Sequence, residues 1–231
     1  MYNYFKQKWA VILERMKRVK GMKRINKRKL VVFSLIIVGI IICFIPLFVF
    51  QARVNRDANE NLRLATFYYQ QAQDVEYKEE RLDRLQEAKL LYQNILASFW
   101  VRDKKMPLFY LGNCLYSLQE YKEASEILEN FDRKYKKDYF APWAKMKLAA
   151  SYEQIKDYEK AINSYKKILE KHPQSSICPQ ALLGVARCQG VQGEWSEAQK
   201  SYEEIVFRYP LSEEKGIAEI MLQRLRAQAR L

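Results

Sequence analysis

Residues 156–173 read KDYEKAINSYKKILEKHP. Charged side chains take one side of a helix there, while Tyr158, Ala161, Tyr165 and Ile168 recur at three- and four-residue steps on the other. An apolar stripe of this width must pack against something. Sliding the stretch by 37 residues in either direction shows what. Ala124, Ala161 and Ala198 align, and so do the aromatics Tyr121, Tyr158 and Trp195. Leu128, Tyr165 and Tyr202 form a third column, and Phe131, Ile168 and Ile205 a fourth. Upstream, Leu111, Leu148 and Val185 align, followed by Gly112, Ala149 and Ala186. Pro142 pairs with Pro179, and Pro173 with Pro210. No insertion interrupts the three units.

Each unit reads as two helices. The first carries Trp143, Met146, Ala149 and Ala150 at helical spacing; the second is the quoted stretch. The alanine column allows close approach of the two helices, and the aromatic beside it fills the joint. One such hairpin cannot bury both of its faces, so it stacks on its neighbours, which makes a solenoid. Asp138, Ser175 and Ser212 stand where helix N-caps are expected. Ala88, Tyr92 and Ile95 place a degenerate unit ahead of the three, whose first helix, about 54–77, carries Val54, Ala58, Leu62, Ala65, Tyr69 and Ala72 on one face. That helix is expected to run straight out of the preceding apolar segment. The units fall at about 54–100, 105–141, 142–178 and 179–215. Residues 216–231 form a final half-unit, expected to be a cap that is polar on its outside.

The remaining sequence differs in kind. The 231-residue chain carries a formal charge of +13, yet residues 1–29 alone hold eleven Lys/Arg against Glu14, and the rest is close to balance. Residues 30–50, LVVFSLIIVGIIICFIPLFVF, contain no charge. As a helix they extend roughly 31 Å, the thickness of a bilayer's hydrocarbon core. The run is too long for the apolar core of a cleaved signal peptide, and Ile42 before Cys43 does not suit lipoprotein processing. It reads as an uncleaved signal anchor. The basic flank puts residues 1–29 in the cytoplasm and residues 51–231 across the membrane. Within the tail, Phe5, Trp9, Ile12, Leu13, Met16 and Val19 share a helical face amid Lys and Arg, a pattern suited to anionic lipid; a disordered basic tail is the alternative. No groove-reading motif accompanies the charge, which disfavours nucleic acid.

No residue set points to catalysis, so an enzyme is not expected, nor is a cofactor. His172, the only histidine, precedes Pro173 at a helix end and shares a column with Tyr135 and Tyr209. Neither metal-ligand spacing nor a Gly-rich phosphate loop occurs. Cys114 and Cys188 lie two units apart, beyond the ~7 Å reach of a disulfide. Cys178 and Cys188 are roughly 15 Å apart on one helix. All three are expected to be free and buried.

The columns resemble the tetratricopeptide repeat, in which a small residue in helix A, an alanine and an aromatic in helix B and a closing proline recur. Ala149/Ala161/Tyr165/Pro173 and Ala186/Ala198/Tyr202/Pro210 supply these places here. The period is 37 instead of 34, with the extra residues in the links between units. The resemblance covers about 61–231 and implies an all-α fold: a right-handed hairpin solenoid with a C-terminal capping helix. Such links look like those of bacterial envelope repeat proteins, including the Tol-Pal coordinator, the outer-membrane assembly lipoprotein and translocon helpers. The resemblance further implies a concave groove, lined by A helices, that takes protein partners as peptides or helices. By the family's register the groove positions are Met106, Phe109, Tyr110, Asn113, Tyr116, Trp143, Met146, Lys147, Glu153, Gln154, Leu183 and Arg187, with Trp143 as the leading exposed anchor. Phe109 and Met146 stand where a carboxylate-clamping array has Lys, so that type of recognition is disfavoured. The expected protein is a scaffold of the cytoplasmic (inner) membrane with a periplasmic or otherwise extracytoplasmic repeat domain. The alternatives are a translocon-associated helper for emerging chains and a function residing in the basic tail.

Overall fold

The computed structural model describes residues 27–228 and is all-helical over them. The helices are α1 (Lys27–Asp74), α2 (Lys78–Ala97), α3 (Lys105–Ser117), α4 (Tyr121–Lys134), α5 (Ala141–Gln154), α6 (Tyr158–Lys171), α7 (Cys178–Val191), α8 (Trp195–Arg208) and α9 (Glu213–Gln228). The chain divides into two compact units, Met1–Ala52 and Arg53–Leu231.

The described part of the first unit is the apolar stretch of α1. It is long and apolar enough to cross a membrane, and none of its apolar window is buried by protein. Side chains from Leu35 to Phe50 are exposed throughout. A helix apolar on every side is stable only in an apolar surrounding, which this unit does not itself supply. The amphipathic face expected over Phe5–Val19 lies outside the described residues.

The second unit is the solenoid. From α2 onward each helix packs on its neighbour in the chain. The first helices of successive hairpins also touch, α3 on α5, α5 on α7 and α7 on α9. Among the described residues the second helices α4, α6 and α8 do not touch one another. The A helices therefore line the tighter, inner wall and the B helices the outer one. The columns read from sequence form the core. Ala124, Ala161 and Ala198 are fully enclosed, as are Phe131, Ile168 and Ile205. Ala58, Ala65 and Ala72 line the buried face of α1 in the first hairpin. Cys114, Cys178 and Cys188 are free and buried, as expected. Burial pushes the Cys114 and Cys188 thiols up to about 12, so neither forms thiolate near neutral pH.

Each A-to-B turn is built the same way. Gln119, Lys156 and Gly193 occupy one column, and all three take the left-handed conformation, with φ of 64°, 64° and 80°. The next amide donates back across the helix end, Glu120 to Leu115, Asp157 to Tyr152 and Glu194 to Gln189, which is the Schellman arrangement. Only Gly takes this conformation without a Cβ penalty. Lys156→Gly and Gln119→Gly are each expected to stabilise the array by about 0.5–1 kcal/mol, read as a higher thermal midpoint, whereas Gly193→Gln should lower it.

Glycine has a different role at Gly184. A Cβ there would stand 2.5 Å from the ring of Tyr165, which is fully buried against α7. Gly184→Ala is expected to cost about 1–3 kcal/mol in overpacking against about 1 kcal/mol gained in helix propensity. Thermal melting of the variant should therefore begin earlier than wild type.

Two expectations need correction. Asp138, Ser175 and Ser212 do not supply the N-cap hydrogen bonds. The residues flanking α5 and α7 are Phe140 and Ile177, neither with a side-chain cap. Pro142 and Pro179 sit in the first turns, where a missing N–H costs nothing. Asp138 instead accepts from the Phe140 amide at 2.9 Å within the link and pairs with Lys105 at 2.9 Å. Ser212 Oγ is buried with no hydrogen-bond partner among the described residues. The final half-unit is not polar on its outside either, since Ile217 and Ile220 of α9 are exposed.

Candidate partner-binding groove

The inner wall is tied together by contacts between A helices of successive units. Lys147 of α5 holds its ammonium 4.4 Å from the ring centroid of Tyr116 on α3. Arg187 of α7 reaches back to Glu153 of α5, donating through Nε at 2.9 Å and Nη2 at 2.8 Å. The Tyr165 hydroxyl donates to the same carboxylate at 3.0 Å. These hydrogen bonds hold the Arg187 guanidinium above its ordinary pKa, and the bidentate geometry fixes its plane. Burial of the Tyr165 ring, followed by the Glu153 charge, raises the phenol well above its usual value. Lys147 differs: burial lowers its pKa, and among the described residues it forms no ion pair with a carboxylate. Tyr116 lies within electrostatic reach of both Glu153 and Arg187, so the four groups form one continuous patch.

The structure sorts the expected groove residues into three groups. Tyr116, Lys147, Glu153 and Arg187 come together as described, and Gln154 is exposed beside them. Met106, Tyr110, Trp143 and Met146 are half-buried. Tyr110 stacks on Tyr92 with ring centroids 6.0 Å apart, and Trp143 lies 4.9 Å from Tyr139. Trp143 is therefore one member of an aromatic cluster and not an isolated anchor. Phe109, Asn113 and Leu183 are buried. Phe109 packs between Phe131 and Phe140, at 5.8 and 5.1 Å. The Asn113 amide nitrogen donates to the Phe109 carbonyl at 2.9 Å.

One feature of this wall was not expected from the sequence. Beyond Arg187 opens a cleft of about 330 Å³ lined by Val191, Trp195, Tyr202, Met221 and Leu225. Its cause is a missing side chain. Tyr116, Glu153 and Gly190 share one column. In the first of these units Tyr116 covers the aromatic at the start of helix B, meeting Tyr121 edge-on at 5.2 Å. Gly190 cannot cover Trp195 in this way, and Trp195 is left 55% exposed with Val191 64% exposed beside it. The arrangement is an apolar recess with a hydrogen-bonded ion pair at its rim and, further along, a cation with no carboxylate partner among the described residues.

Comparison with known proteins bears on the fold. The tetratricopeptide repeat family model matches residues 108–138, 143–175 and 180–212. Among solved structures, MamA from strain AMB-1 superposes with a TM-score of 0.54 at 14% identity, covering 78% of this chain and 83% of its own. A tetratricopeptide repeat protein from Parabacteroides merdae gives 0.53 at 16% identity, over 72% and 61% of the two chains. The apo form of RapI gives 0.54 at 15% identity, over 73% and 47%. At such identities the likeness is one of fold. Curated protein sequences gave no match. The matched units and their hairpin geometry show that residues 108–212 are built of tetratricopeptide repeats.

Proposed function

We propose that the chain is a membrane-anchored scaffold that holds protein partners of the cell envelope along the inner wall of its repeat array. The observation that carries this reading is the open apolar cleft at Val191 and Trp195, beside the Glu153–Arg187 pair. Exposed aromatic surface in a recess with fixed polar groups at its rim is the composition of a binding hot spot. The occupant is a helix or extended segment that places an apolar side chain in the cleft and an acidic one towards Lys147. The apolar stretch of α1 anchors the scaffold in the cytoplasmic membrane. The basic residues ahead of it keep the N-terminus cytoplasmic, bring anionic lipid to the tail and put the repeats outside. No catalytic step and no cofactor are assigned.

The test compares capture from solubilised membranes by the full chain and by two variants. Val191→Asp places a charge in the cleft, and Lys166→Asp alters the outer wall on α6. A defined set of proteins should be lost with Val191→Asp and kept with Lys166→Asp, at unchanged helicity. Capture indifferent to Val191 would overturn the groove. Broad binding of unfolded chains, equally reduced by Val191→Asp, would instead support the translocon-helper reading. Extraction of the wild-type protein from membranes by alkali would overturn the anchor.

A further inference from the structure

Helix α9 packs on α7 and α8 through Ala218, Leu222, Met221 and Leu225. Its opposite face is bare among the described residues, and its pattern is specific. Glu213, Ile217, Ile220 and Arg224 follow one another at four-, three- and four-residue steps, all exposed, with the two isoleucines 50% and 53% accessible. That spacing is a straight seam of alternating a and d positions. The column containing Ile220 shows what such a position does elsewhere in the array. Phe109 and Leu183 occupy it in two of the preceding units, and both are buried by packing on adjacent elements. Ile220 has no such cover. Two outward columns of the preceding unit also turn apolar. Phe207 stands where the chain earlier has Arg133 and Glu170, and Leu211 where it has Lys137 and Gln174; they are 86% and 99% exposed.

We propose that this face pairs with the same face of a second copy of the chain, the two α9 helices running antiparallel about a two-fold axis. The argument for this occupant is that the seam complements itself. With the axis between Ile217 and Ile220, each Ile217 meets the second copy's Ile220, and each Glu213 meets the second copy's Arg224. These are the mixed a-against-d layers of an antiparallel helix pair, and the symmetry makes every contact twice. The acidic first turn, Glu213 and Glu214, and the basic last turn with Arg226 give the helices the same complementarity along their length. A parallel pair would set Glu213 against Glu213 and Arg224 against Arg224. The seam is short, so the dimer is weak and depends on concentration.

The experiment measures the mass of the full chain in detergent by light scattering against concentration, for wild type and four variants. Wild type should pass from monomer to dimer. Ile220→Asp should abolish the dimer, and Arg224→Glu or Glu213→Arg alone should weaken it about tenfold or more. The double variant Glu213→Arg with Arg224→Glu should restore it, since the opposed charges are only exchanged. All three positions of substitution are on an exposed face, so helicity and melting should stay at the wild-type values. A wild type that remains monomeric, or a dimer indifferent to Ile220→Asp, would overturn the pairing. Failure of the charge exchange to restore the dimer would overturn its antiparallel register. Partner capture indifferent to Val191→Asp, with the dimer intact, would count against the groove alone.

Discussion

Tyr165→Ala is expected to cost the repeat array about 3–5 kcal/mol, the range for removing a buried aromatic ring. The ring is only 2% exposed, and the Gly184 backbone gives it room against α7. Its hydroxyl also holds Glu153, which in turn holds Arg187. Loss of the ring therefore leaves a cavity between two units and frees the ion pair on the inner wall. Because each unit contacts only its neighbours, the damage should be regional. Hydrogen exchange should rise across α5, α6 and α7 while α2 keeps its protection. Tyr165→Phe keeps the ring and loses only the hydrogen bond, about 1 kcal/mol, so the two variants separate packing from the polar tether.

Trp195→Ala is the second large effect, and it falls on binding. A half-exposed indole at the floor of a recess is the kind of residue whose truncation costs about 2–4 kcal/mol of affinity, roughly 30- to 1000-fold. Stability should change much less, because Trp195 is already 55% exposed. Titration of an identified partner by calorimetry, with a thermal melt of the same sample, checks both statements. A large fall in melting temperature would show that Trp195 is holding the last unit together instead of serving a partner.

The fold was legible because the period is strict. A column that recurs three times without insertion, such as Ala124, Ala161 and Ala198, admits one physical reading, and all three are enclosed. What periodicity does not resolve is which of two adjacent helix faces a residue meets. Phe109 and Asn113 are buried within their own unit, Phe109 between Phe131 and Phe140 and Asn113 on the Phe109 carbonyl. The expected N-caps failed for a related reason. A polar residue three positions before a helix can serve the link, as Asp138 does, when the link itself makes consecutive turns. The cleft at Trp195 was hidden because it arises from an absence: Gly190 attracts no notice until the column shows that Tyr116 and Glu153 fill the same place. A terminal cap is expected to be polar on its outside, yet Ile217 and Ile220 of α9 are plain in the sequence.

In the proposed scaffold a protein partner sits on the inner wall at the Val191–Trp195 cleft. A photoreactive amino acid at position 191 of the full chain, illuminated in its own membrane, tests this most directly, with position 166 on the outer wall as the comparison. A discrete adduct should form from position 191 and not from 166, and Trp195→Ala should remove it. Adducts of equal yield from both positions, or an adduct at 191 that survives Trp195→Ala, would contradict the account.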